Sequence, residues 1–226
     1  MERRVEPRQD PHGGHDPLNN GIVRSSRGIR STHPTQDQRR LHMNLFVLDR
    51  DPRLAARAHC DKHVVKMVLE TAQLLSTAHA HFGEASYSDA RNCFEVRGQR
   101  VYHPTHQNHP CAVWVRETAA NYRWACSLLE ALLHEYQRRF GDRAKKRHKT
   151  WDVLPALRTP PRALLRACAD RPDAMTPFAL AMPEAYRSPD PVASYRAYYR
   201  ADKSAIAEYR MGDEPEWMTR TSEVSL

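Results

Sequence analysis

The chain has no run of about 18 or more apolar residues, which excludes a helix that spans a membrane. Its first residues, MERRVEPRQD, show no charged stretch followed by an apolar one, so no secretory signal is expected. Cys60, Cys93, Cys111, Cys126 and Cys168 lack CxxC spacing and are odd in number, in a chain too long to need disulfide staples. Reduced thiols in a cytoplasm are the expected state. No internal repeat is evident, and strand signals are few. The expected class is therefore mainly α.

The 226 residues leave room for one good-sized domain with appendages. Lysine and arginine exceed the acids by 35 − 27 = 8, a balance that favours an anionic partner, nucleic acid first. Residues 1–42 are rich in Arg, Pro, Gly, Asn and His, without a period of 2 or 3.6. Such a segment cannot bury enough apolar area to offset its ordering entropy, so a disordered basic extension is expected. The first apolar run, MNLFVLD, opens at Met43. The upstream residues are thus either a flexible arm or an extension of a chain whose true start is Met43. A single helical domain over 43–212 and a tail over 213–226 complete the expected layout.

Within that domain a short extended piece precedes DPRLAARAHCDKHVVKMVLETAQLLSTAHAHF, where Asp51 is placed to cap a helix and Pro52 to open it. Val64, Val68, Ala72 and Leu75 form an apolar stripe. Residues 83–104 read as a loop, with a strand pair around CFEVRGQRVY. NHPCAVWVRETAANYRWACSLLEALLHEYQRRF reads as the strongest helix, capped by Asn108 or His109, opened by Pro110 and closed by Gly141. Its buried side is Tyr122, Ala125, Leu129, Leu132 and Tyr136. A basic connector (DRAKKRHKT), Pro-rich turns and a last helix from Pro191 to about Arg210 follow.

Three concentrations of reactive side chains stand out. On a helix, His63, Lys66, Glu70, Gln73 and Thr77 all fall within about 40° of His59, a polar seam opposite the apolar stripe. It is either the solvated face of an amphipathic helix or a groove lined by proton donors and acceptors. Asp61 falls on the apolar side and needs a basic partner or a helix N-terminus. In YHPTHQNHPCAVW, His103, His106 and His109 sit three apart before a helix. With Asn108 they could deliver an anion to its N-terminus, or Asn108 or His109 could simply be the cap. His59 and His63, four apart, could share a divalent transition metal, with His103, His106, His109 or Cys111 completing the set and His106 and His109 the expected pair, although HxxxH pairs are common in a chain with 13 histidines. Near the C-terminus, Tyr195, Tyr198, Tyr199 and Tyr209 interleave with Arg196, Arg200, Lys203 and Arg210. They suit either stacking on unpaired bases or ordinary core packing.

AHCDKHVVKMVLETAQLLSTAH, NHPCAVWVR, TPFALAMPEAY and the tyrosine-rich last helix resemble a family of small phage and bacterial proteins of unknown function. More distantly, the order of elements from Met43 to Tyr209 is similar to that of the pyrimidine-dimer DNA glycosylases of the phage endonuclease V type. That resemblance implies excision of a base by an amine nucleophile, the N-terminal α-amine, which attacks the sugar C1′ with help from a carboxylate. His109 matches the histidine of the turn before the central helix. Asp61 and Lys66 match acidic and basic positions of the first helix. The amine departs from the pattern: a start at Met1 puts 42 residues ahead of it. A start at Met43 would leave Met43's own amine, since Asn44 is too large for efficient methionine removal. Lys62 and Lys66 are the substitutes, and Glu70 is the carboxylate expected from the seam.

The sequence thus predicts a DNA-processing protein, a glycosylase or glycosylase/lyase on damaged or modified pyrimidines, needing no cofactor, membrane or obligate protein partner. His59, Asp61, His63, Lys66, Glu70 and His109 would line its site, with Asn108, Arg116, Arg196, Arg200 and Lys203 toward DNA. The rivals are a His-ligated metalloenzyme and a non-catalytic DNA-binding protein.

Overall fold

In a computed structural model, residues 43–144 and 147–219 are described. The expected extension over 1–42 lies outside them. About 53% of the structure is helical, and its strands form one small antiparallel sheet, so the predominantly helical class holds. Residues 43–48 enter as an irregular, buried segment. Asp51 caps α1 (Pro52–Ala58) by accepting from the Arg53 N–H at 2.7 Å, with Pro52 at the first position as expected. After a break at His59 and Cys60, α2 runs from Asp61 to His81.

α2 stops at a glycine for a conformational reason. Gly83 takes φ 70°, and the N–H groups of Gly83 and Glu84 bond back to the carbonyls of Ala80 and His79. This left-handed closure favours glycine. A three-stranded meander follows: β1 (Ala85–Ser88), β2 (Cys93–Val96) and β3 (Gln99–Val101). The expected strand pair is β2–β3, joined by Arg97 and Gly98 at φ 53° and 75°, a two-residue turn whose twist suits a hairpin. β1 was not expected, because ASYS carries no apolar alternation.

The single long helix read from residue 110 is two helices, α3 (Pro110–Val115) and α4 (Ala119–Ala144). Thr118 causes the break: its hydroxyl accepts the Asn121 N–H at 3.0 Å and starts a new helix, while the Asn121 amide holds the Trp114 carbonyl at 2.8 Å. Gly141 does not end α4, which continues through it to Ala144. A 3₁₀ turn (Lys149–Asp152), α5 (Leu154–Leu157), α6 (Arg162–Ala167) and α7 (Pro191–Asp202) follow. α7 is shorter than expected and gives way to a 3₁₀ turn at Ser204–Ile206. The expected tail folds back at Trp217, whose ring lies edge-on to Tyr199.

α4 is the axis of the packing and contacts both α1 and α2. Its face Tyr122, Ala125, Leu129 and Leu132 is fully buried, as is Val64, Val68, Ala72 and Leu75 of α2. All five cysteines are free and buried. Among the described residues, no helix is long and apolar enough to cross a membrane.

Candidate active site

The polar seam of α2 is neither a solvated face nor an open groove along its length. His63, Glu70 and Thr77 are buried; apart from His81 at the end of the helix, its exposed residues are the line Lys62, Val65, Lys66 and Leu69. Three distant segments dock on the seam through its polar groups. The Glu70 carboxylate accepts the Asn44 N–H at 3.2 Å; the Thr77 hydroxyl accepts from Thr105 N–H at 3.0 Å; and His63 Nδ1 meets the Tyr199 hydroxyl at 2.8 Å. A helix covered on nearly all sides needs such partners for the backbone and side-chain groups it buries.

Glu70 is the centre of the arrangement. One carboxylate oxygen holds Asn44 N–H and the other is 2.9 Å from Lys66 Nζ. Burial raises its pKa, against the opposing pull of Lys66, the Asn44 N–H and His106. Asn44 is itself fixed: its amide donates to the Ala181 carbonyl at 2.8 Å, and its side-chain oxygen accepts from Leu45 and Phe46 N–H at 2.8 and 3.0 Å. That turn forces Phe46 to φ 44°, a left-handed conformation uncommon for a bulky side chain.

Beside Glu70 and Lys66 opens a cleft of about 620 Å³. Val65, Leu69 and Gln73 of α2 line it together with Tyr102, Tyr136, Arg147, His148 and Lys149. Among the described residues of this lining, Glu70 is the one acid, against three cations, Lys66, Arg147 and Lys149. Tyr102 is anchored by its hydroxyl to Thr150 at 2.8 Å, and the Tyr136 ring is edge-on to His148 at 4.8 Å. Apart from Lys66 and Glu70, these residues escaped the sequence reading as site residues, Gln73 having been placed only on the polar seam. The signal was there in DRAKKRHKT, which read only as a connector, and Tyr136 read as core.

The histidines part company. His59 is the C-cap of α1 rather than a member of α2, so the helical projection from it fails at the extended His59–Cys60 junction. Its Nδ1 donates to the Ala55 carbonyl at 2.7 Å, and its ring is completely buried. Burial lowers its pKa to about 4 and that of His63 to about 3. His63 stacks on Phe46 at 4.6 Å, beside Tyr199. His109, not Asn108, caps α3, its Nδ1 accepting the Cys111 N–H at 3.2 Å, and burial lowers its pKa to about 4. Asn108 and His106 are exposed. Among the described residues no three His, Cys, Asp or Glu side chains converge as metal ligands. The set His59, His63, His106 and His109 is thus not assembled.

Asp61 has the basic partner its position demanded. It pairs with buried Arg139 at 3.0 Å and accepts the Met211 N–H at 3.1 Å. It therefore holds α2 to α4 and does not line the cleft. The cations expected to face DNA each have a partner within the chain. Arg196 donates to the Leu48 carbonyl at 2.8 Å, pairs with Asp49 at 3.1 Å and lies over the Trp217 ring. Arg200 donates to the Trp217 carbonyl at 3.0 Å, Arg116 to the Gln107 carbonyl at 2.6 Å, and Lys203 covers the Tyr198 ring at 4.7 Å. Tyr195, Tyr198 and Tyr199 are core residues. No family model, curated protein or solved structure matches the chain.

Proposed function

We propose that this chain is a DNA glycosylase with lyase capacity, working by an amine beside Glu70. The observation that carries the reading is the pair of nitrogens on one buried carboxylate, Lys66 Nζ and Asn44 N, at the edge of a cationic, aromatic cleft. In the chain as written Asn44 N is an amide, so Lys66 is the available amine. A chain beginning at Asn44 would instead carry its α-amine there.

Glu70 serves in two ways. A carboxylate whose pKa is raised by burial accepts a proton from a neighbouring ammonium more readily, freeing the neutral amine that is the nucleophile. The departing base takes that proton from Glu70, and the carboxylate so restored stabilises the positive charge left on the sugar. Attack of the amine on C1′ breaks the glycosidic bond and the base leaves. Opening of the sugar ring then gives an imine between the amine and C1′. His63 and His109 are buried and do not line the cleft, so they are given no part in the proton transfers.

The test is base release from duplexes carrying a thymine dimer or an oxidised pyrimidine, comparing the chain with Glu70→Gln. The amide keeps the shape and removes the proton acceptor. Release that falls by about 10²-fold or more supports the reading. Release unchanged by the substitution, or DNA binding with no release from any modified duplex, contradicts it.

A further inference from the structure

The cleft has more in it than the excision chemistry uses. Glu70 and Lys66 occupy one edge, while Gln73, Tyr102, Tyr136, Arg147 and Lys149 line the rest. Its volume of about 620 Å³ falls in the range of about 300–1,000 Å³ typical of small-molecule sites. Two tyrosine rings offer π-faces, and the Tyr102 ring is held in place by its hydroxyl bond to Thr150. Gln73 brings a neutral amide, with a carbonyl and an NH₂ that can pair with a donor–acceptor edge. Arg147 and Lys149 flank His148 on the approach to the 3₁₀ turn, and Arg147 spends one guanidinium nitrogen on Asp152. A purely apolar ligand would leave these cations desolvated without a partner. An acidic peptide would make no use of the aromatic rings.

We infer that the cleft beside Glu70 is a mononucleotide subsite: a base lies against Tyr102 or Tyr136 with its edge on Gln73, and its phosphate lies on Arg147 and Lys149. The inference deepens the glycosylase reading and rests on it for the source of the nucleotide, a residue turned out of duplex DNA, since a base stacked between its neighbours has no face free to lie on a tyrosine ring. Gln73 becomes the residue that sets base preference, because stacking tolerates every base whereas an amide discriminates by its hydrogen bonds.

The experiment is calorimetric titration of the full chain with thymidine 5′-monophosphate, thymidine and inorganic phosphate. The nucleotide is expected to bind at least about tenfold more tightly than either fragment, since it joins two contacts in one ligand. Lys149→Ala and, separately, Arg147→Ala are expected to reduce nucleotide affinity toward that of thymidine, with unchanged circular dichroism. Tyr102→Leu should weaken nucleotide and nucleoside alike. Gln73→Ala should narrow the difference between thymidine and deoxycytidine monophosphates. Nucleotide binding no tighter than phosphate, or unaffected by both cation substitutions, overturns the inference. Borohydride trapping on an abasic duplex, which has no base to stack, separates this outcome from the fate of the glycosylase reading. Trapping without nucleotide binding defeats the subsite alone. Binding without trapping leaves a nucleotide site whose neighbouring carboxylate does no lyase chemistry.

Discussion

Acid should unfold this domain through its histidines before its carboxylates are titrated. Among the described residues four imidazoles are buried, and burial lowers His59, His79 and His109 to about 4 and His63 to about 3, from an unfolded value of 6.5. Each has a depressed folded pKa, so its neutral form is favoured by the native state. The associated stability is complete above pH 6.5 and is lost as pH falls toward the folded values. At pH 5 an unfolded histidine is almost fully protonated while a folded one at about 4 is almost neutral. Linkage then removes about 2 kcal/mol per histidine between neutrality and pH 5, or about 8 kcal/mol for the four. Against a native stability of about 5–15 kcal/mol, that is enough to unfold many domains of this size. The raised Glu70 works in the opposite sense, since its protonated form is favoured by the fold, but it is one group against four. Urea denaturation at a series of pH values measures the slope of stability directly. Unfolding is expected to take up about three to four protons near pH 5, falling by about one in His59→Gln. Uptake of one proton or fewer between pH 7 and 5 would refute the reasoning, because it would mean that the imidazoles are already charged in the native interior.

Arg139 is buried and bonds Glu135, Asp61 and the carbonyls of Arg57 and His59. Arg139→Met should cost about 3–5 kcal/mol, read as a lower urea midpoint; a cost under about 1 kcal/mol would show that α1, α2 and α4 are joined without it. Tyr199→Phe removes the hydroxyl that serves both Cys60 N–H and His63, and should cost about 1–3 kcal/mol by the same measurement. The slope of log DNA affinity against log salt should be unchanged in Arg196→Ala, whose guanidinium is held by Asp49, and should shrink by about 1 in Lys149→Ala. The reverse pattern would restore α7 as the DNA-facing element.

The helices were legible where spacing alone decides. The stripes of α2 and α4, the Asp51–Pro52 start and the Arg97–Gly98 hairpin each depend on neighbours within a few residues. What escaped was set by distant partners. His59 and His63 read as one face because nothing local announces that the chain extends at Cys60, where Tyr199 receives the Cys60 N–H from another helix. The seam read as a solvated face or an open groove because the segments that cover it come from residues 43–48, 102–109 and α7. Arg196 read as free for phosphate because its partner, Asp49, lies far away in sequence. Glu70 and Lys66 were legible as a helical pair four apart. Asn44, which completes them, was not, since only the fold brings it to α2.

The most direct test of the account is borohydride trapping on an abasic-site duplex with chains beginning at Met1, Met43 and Asn44, followed by mass mapping of the adduct. Reduction would turn the imine into a stable bond between protein and sugar. The account predicts an adduct at Lys66 in the longer chains, a shift to the Asn44 α-amine in the shortest, and none in either position with Glu70→Gln. An adduct mapped to a lysine away from Glu70, or none from any of the three chains while they still bind the duplex, would contradict it.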